Sequence, residues 1–490
     1  MKQTINTMDL NADAGPETDS PPLWPCLAID RSRGLADQIV AAVALMVQQR
    51  ELGIGVRMPS VRQFAKINGV STFTVVESYE RLMTLGLLSA RRGSGYFVAR
   101  SEPAQTQQIA CPPNPTAIDA LTPDLYSGVS DALPVGAGWL PPEWYGEATI
   151  LEAVRRAMKI PAARLRGYGH PLGFPSLRQH LACTLSDDLV DVDADQIMLT
   201  HGATHAFDLV LRTLTKPGDI VFVEDPSYSN LLSLIGHHGC IAVGITRTEA
   251  GLDFDALIAQ AAKTPPKLMF VNTVLQNPLG TSLSQAQCHR LLGLAEQFDF
   301  WLVEDDIYRE LSARGEASLA AMDGLRRVIR IGSFSKTLSP VLRVGSISAP
   351  GSLLPELVRV KMLAGLTTSE INERAAYHAL SARPYRRMLE RLKAQLDMSR
   401  ERSILRLTEA GMTPLARPRG GMFVSAGWPD PATQKWNGKL IADLALKSAI
   451  LLAPNEFFML RQPKTVWFRF NVAYTDHPLL VQFLQTVRPR

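Results

Sequence analysis

The chain has 490 residues, 46% apolar and 20% charged, with a formal net charge of +4, so it is too long for one ordinary domain and has the composition of a soluble globular protein. No apolar run reaches the ~20 residues of a membrane span, and the five scattered cysteines, Cys26, Cys111, Cys183, Cys240 and Cys288, lack the spacing of a disulfide framework or zinc site. Cytoplasmic residence is the expectation.

Residues 1–29 have no signal-peptide core and read as a disordered leader. Residues 30–100 carry ten Arg or Lys against five Asp or Glu, a local excess of five positive charges. Here "GLADQIVAAVALMVQQREL" predicts an amphipathic helix ending near Gly53. Pro59 and Ser60 then start a second helix, "NGV" turns, and Ser71 caps a third. "LLSARRGSGYFVA" predicts two strands around a Gly-rich tip. Helix, helix, turn, helix and wing follow in order.

Residues 101–127 hold five prolines in 27 residues and little periodicity, the composition of a linker. From 128 to 490, apolar runs alternate with helical segments: "QIMLTHG", "DIVFVEDP", "CIAVGIT", "KLMFVNTV", "FWLVEDD", "RVIRIGS" and "RVGSISAP". They predict an α/β domain with a mainly parallel sheet of about seven strands.

Polar residues cluster where these strands end, as ligand sites do in open α/β sheets. Gly202, Ala203 and Thr204 open a helix whose N–H groups can hold a phosphate. The neighbouring His201 and His205 straddle the strand-to-helix turn, a poor spacing for a metal, and no metal is expected. Asn277 can donate to a phenolate oxygen, and a buried Asp305, with Tyr308 three residues on, can keep a pyridine nitrogen protonated. An Asn before Pro is more often a turn, and a strand-end Asp is often a helix cap. In "RIGSFSKTLSPVLRVGS", Lys336 could form a Schiff base with an aldehyde, while Ser333, Ser335 and Arg343 suit a phosphate.

The segments "YGHPLGFPSLR", "HGATHAFDL", "EDPSYSN", "QNPLG", "EDDIYREL", "SFSKTLSPVLRVG" and "FRFNVAY", in this order, make residues 128–490 resemble the fold-type I aminotransferases, which bind pyridoxal 5'-phosphate (PLP). The resemblance implies that Lys336 is the internal-aldimine lysine and Asp305 the pyridine-nitrogen partner. Asn277 and Tyr308 would contact the ring hydroxyl and Tyr228 would stack on the ring. Gly202, Ala203, Thr204, Ser333, Ser335 and Arg343 would hold the phosphate, with Tyr168 reaching it from the other subunit of a homodimer. Arg469 would clamp a substrate carboxylate, a buried structural ion pair being the competing reading.

Residues 35–99 resemble the winged helix-turn-helix of GntR regulators, and the combination resembles their MocR-type branch. By that resemblance "VSTFTVVESYERL" is the recognition helix, with Ser71, Thr72 and Thr74 toward double-stranded operator DNA, Arg62 on the preceding helix, and Arg91, Arg92 and Gly93 at the wing tip. Thr72 stands where many members carry arginine, which puts base readout there in question. The implied function is a PLP-dependent transcriptional regulator sensing PLP or an amino compound. The alternative is a working aminotransferase with an accessory domain.

Overall fold

The computed structural model describes residues 27, 34–48, 52–53, 55–84, 87–91, 95–98, 132–161, 164, 166–428, 437–461 and 465–487. Apart from Leu27, the leader 1–29 and the whole Pro-rich stretch 101–127 lie outside the described residues. The chain forms two compact units, one within residues 1–108 and one within 109–490.

The first unit contains helices α1 (Leu35–Gln48), α2 (Val61–Asn68) and α3 (Thr72–Thr84), and the antiparallel strands β1 (Leu88–Arg91) and β2 (Gly95–Val98). Ser60 caps α2 in a reciprocal box with Gln63, and Gly69 ends it at φ +61°, the left-handed turn that "NGV" predicts. At α3, the backbone N–H of Thr74 donates to Ser71 Oγ at 3.1 Å, so Ser71 is the expected cap. Ile39, Val43, Phe64, Val75, Tyr79 and Leu82 meet β1 and β2 through Leu88 and Val98 in one core. Residues 55–58 extend the hairpin, with Val98 N–H donating to Val56 O and Met58 N–H to Tyr96 O. That third ribbon has no apolar run to announce it.

The second unit is built on an eight-stranded sheet. Its strands are β3 (Ile197–Thr200), β4 (Ile220–Asp225), β5 (Ile241–Thr248), β6 (Gly251–Leu252), β7 (Leu268–Val271), β8 (Trp301–Asp305), β9 (Val328–Ser333) and β10 (Gly345–Ser348). Their order is β3-β10-β9-β8-β7-β4-β5-β6. The five strands β9, β8, β7, β4 and β5 run parallel, while β10 is antiparallel to both its neighbours and β6 is antiparallel to β5. All seven predicted runs are strands, and the eighth, β6, is a two-residue edge too short to show a pattern.

Helices cover both faces of this sheet. The helix Ala203–Leu214 buries Ala206, Phe207, Leu209, Val210 and Leu211 against one face, and Gln285–Gln297 buries Cys288, Leu291, Leu294 and Ala295 against the other. Such two-sided cover explains why the strands read as continuous apolar runs. A separate four-stranded antiparallel sheet, in the order β11-β12-β14-β13, comprises β11 (Thr413–Pro414), β12 (Phe423–Gly427), β13 (Ala453–Pro454) and β14 (Trp467–Asn471). It carries Arg469.

Candidate functional site

Strand register assembles the first part of the site. Gly345 of β10 lies opposite Ser333 of β9 on one side and Thr200 of β3 on the other. The start of β10 therefore sits between the carboxyl ends of two strands, and the loops after β3 and β9 converge there. Gly202, at φ +81°, begins the helix Ala203–Leu214, whose first N–H groups have no partner within the helix. Arg343 closes this cup: its Nη1 donates to Ser335 Oγ at 3.4 Å and its Nη2 to His201 O at 3.3 Å. Ser333 Oγ donates to Ser335 Oγ at 3.2 Å. Backbone N–H groups, two hydroxyls and a guanidinium thus gather as an anion site.

The approach of the chain here is close. A Cβ on Gly202 would lie 2.8 Å from Arg343 Nη2, and one on Gly345 would lie 2.8 Å from Gly202 Cα. Glycine at both positions leaves the room that the cup requires.

Lys336 follows the cup and donates to Gly138 O at 2.5 Å. Burial, then the positive charges of Arg469 and Arg343, lower its pKa to about 8, with Asp305 pulling the other way. The amine is therefore easier to deprotonate than a surface lysine, as a nucleophile requires.

The triplet Glu304-Asp305-Asp306 shows how a strand sorts adjacent carboxylates. Glu304 accepts from the N–H groups of Leu319 and Ala320 and from Thr273 Oγ1, so it caps the helix Leu319–Asp323. Asp306 pairs with Arg309 and Arg330 at 2.8 and 2.7 Å. Asp305, on the opposite face of β8 from Glu304, lies within electrostatic reach of Lys336 and Tyr308. Burial pushes its carboxyl up to about 7. The helix-capping role that a strand-end Asp suggested falls to its neighbour.

Asn277 is buried, and its Oδ1 accepts from Arg469 Nη1 at 2.8 Å, so it does more than initiate a turn. Arg469 Nη2 donates to Gly136 O at 2.6 Å, and the guanidinium lies 4.2 Å from the Phe423 ring centroid. Tyr308 is buried among Arg469, Asp305 and Tyr228, and burial raises its phenol well above the ordinary value. Tyr228 precedes the helix Ser229–His237. Thr204 lies in the first turn of Ala203–Leu214. Tyr168 is 80% exposed.

His205 Nδ1 accepts the His201 backbone N–H at 3.1 Å, and burial lowers the His205 pKa to about 4. Among the described residues no group of three metal-type ligands gathers. Sequence reasoning missed three contributors: Gly136 and Gly138, whose carbonyls meet Arg469 and Lys336, and Asn272, whose Nδ2 donates to Asp305 O at 2.8 Å. The closely spaced glycines in "VGAGWL" were the available signal.

In the first unit, Arg62 is exposed in the first turn of α2, and Ser71 and Thr72 are exposed at the start of α3. Thr74 is half-buried, and its Oγ1 lies 2.8 Å from Ser71 Oγ. Arg91 ends β1, while Arg92 and Gly93 lie outside the described residues.

Comparison with known proteins agrees with both units. Residues 144–487 match the family model "Aminotransferase class I and II", and residues 35–98 match "Bacterial regulatory proteins, gntR family". The uncharacterized HTH-type transcriptional regulator YdcR of Escherichia coli K12 is 29% identical over 455 residues, 90% of this chain and 94% of that protein. The probable rhizopine catabolism regulatory protein MocR of Rhizobium meliloti is 29% identical over 389 residues, covering 74% and 77%. A kynurenine aminotransferase of Pyrococcus horikoshii, solved with PMP, superposes with a TM-score of 0.68 at 25% identity, covering 76% of this chain and 93% of that one. The LysN aminotransferase of Thermus thermophilus, solved with a phosphopyridoxyl-leucine, gives 0.67 at 25% identity, covering 76% and 95%.

The cup, the low-pKa amine and the buried carboxylate fit PLP in its phosphate, aldehyde and ring nitrogen, and PLP is the cofactor of this fold. The chain belongs to the aminotransferase class I and II family, in the MocR-type branch of GntR regulators that joins a winged helix-turn-helix to an aminotransferase-like body.

Proposed function

We propose that the protein is a PLP-dependent, DNA-binding transcriptional regulator in which the aminotransferase-like body senses PLP or an amino compound at Lys336. The observation that carries this is the presence, in one chain, of a winged helix with an exposed third-helix start and of an anion cup beside a buried Lys336 and a buried Asp305. A basic winged helix has no use in amino-group transfer as such.

When bound, PLP supplies an aldehyde that condenses with amines and a ring that withdraws electrons. The chain's own residues would do the rest. The Gly202-Ala203-Thr204 turn, Ser333, Ser335 and Arg343 would bind the phosphate. Asp305 would hold a proton at the ring nitrogen, Asn277 and Tyr308 would orient the ring hydroxyl, and Tyr228 would cover the ring. Arg469 would fork to the carboxylate of an amino-acid ligand.

Exposed Tyr168, Val341 and Leu363 fit a second copy of the body, with Tyr168 completing its partner's phosphate cup. Arg62, Ser71, Thr72 and Thr74, with a wing tip at Arg91, Arg92 and Gly93, would face operator DNA. A second reading, a working aminotransferase, is supported by the buried Lys336 amine with its lowered pKa and by the buried Arg469 close enough to influence it.

One preparation tests both. Intergenic DNA from upstream of the protein's own gene is titrated with apo and PLP-loaded protein, and half-transamination is followed spectroscopically with a panel of amino acids. Specific DNA binding that changes with PLP or an amine by roughly 5–150-fold supports the regulator, with the reciprocal change in ligand affinity required by linkage. Turnover without specific DNA binding overturns it.

A further inference from the structure

Phe73 is the most exposed large apolar side chain described in the first unit, at 77% exposure. It occupies the second position of α3, whose inward residues Val75, Tyr79 and Leu82 are fully buried. A single exposed aromatic is ordinary on a protein surface. Its surroundings make this one informative.

Ser71 and Thr74 flank Phe73, yet their hydroxyls are engaged with each other at 2.8 Å, and Ser71 Oγ also accepts the Thr74 N–H. The cap thus uses part of the hydrogen-bonding capacity of two of the three hydroxyl residues expected to face DNA at the start of α3. One turn further on, Glu77 lies 3.4 Å from Arg81, which also bonds Asp37 at 2.6 Å. Along this face the first turn offers Thr72 and the phenyl ring of Phe73, and no side-chain cation.

In the major groove the base edges present one apolar feature, the C5-methyl group of thymine, and Phe and the Thr methyl are among the side chains that contact it. Arg62 is exposed on α2, and the basic balance of residues 30–100 suits a duplex. We propose that Phe73 is a specificity-determining residue that reads thymine, its ring packing on C5-methyl groups of the half-site. This rests on the DNA-binding reading above.

The test uses the full-length protein and a duplex that it enriches from a random-sequence pool. Each thymine is replaced by deoxyuridine, which removes only the methyl group, and binding of the native chain and Phe73→Ala is measured on both duplexes. Loss of one buried methyl-sized contact corresponds to about fourfold in affinity. We expect at least one thymine at which deoxyuridine weakens the native chain by about that factor, and Phe73→Ala to bind the thymine duplex more weakly while ignoring the replacement. Because Phe73 is exposed, its truncation leaves the core of the unit intact. A native chain indifferent to every replacement, or a variant that keeps the same discrimination, overturns the assignment while leaving DNA binding in place. Failure to enrich any duplex, even at low salt, overturns the DNA-binding reading itself, and this inference with it.

Discussion

Gly202→Ala tests the phosphate cup directly. The backbone there stands at φ +81° and ψ 175°, a region essentially reserved for glycine, so any side chain should cost about 1–3 kcal/mol of stability. The new Cβ would also sit 2.8 Å from Arg343 Nη2 and 3.2 Å from Cζ, which forces the guanidinium away from its place between His201 O and Ser335 Oγ. One hydrogen bond to a charged group contributes about 1.5–3 kcal/mol, so PLP affinity should fall roughly 10- to 150-fold. PLP is titrated into apo protein by absorbance, with thermal unfolding measured in parallel. Gly293→Ala, in the exposed face of the helix Gln285–Gln297, serves as control, because a Cβ there meets nothing within 4 Å. On an Arg343→Ala background the substitution should cost much less affinity, since the group it displaces is gone. An unchanged PLP affinity in Gly202→Ala, or an equal loss with and without Arg343, would refute the assignment of the cup.

Asp305, raised by burial to about 7, keeps a proton when folded that the unfolded chain releases, so the stability of apo protein should fall as pH rises from about 4 to 7. Asp305→Asn should flatten that part of the curve of unfolding temperature against pH. Acylation of Lys336, followed by mass spectrometry, should rise through about pH 8, and Arg469→Leu should move that midpoint upward by removing a like charge. Arg62→Ala should weaken DNA binding; if it holds one phosphate, the log–log salt slope should shrink by about 0.9, whereas a base contact should cost about 1–3 kcal/mol at one base pair. Ser60→Ala removes the reciprocal cap of α2 and should destabilise the first unit by about 0.5–2 kcal/mol, leaving PLP absorbance unchanged.

The sequence by itself determined what is local. Caps at Ser60 and Ser71 and the turn at Gly69 are written in a few adjacent residues, because a short side chain reaches only the next turn of backbone. Seven apolar runs announced seven buried strands, because a strand covered on both faces is mostly apolar. Asp305 at the end of β8, and Lys336 and Asn277 in the loops after β9 and β7, were legible as candidates, but their partners were not. Arg469 meets Asn277 across 192 positions and Lys336 meets Gly138 across 198, and no local periodicity encodes such pairings. The sheet carrying Arg469 was likewise hidden, since two of its strands have only two residues. The sequence pointed to Asp305, but only the tertiary structure decided what its two acidic neighbours do, because the pleat sends adjacent side chains to opposite faces and the packing there gives Glu304 a helix end and Asp306 an arginine pair, leaving Asp305 on the face of Lys336 and Tyr308.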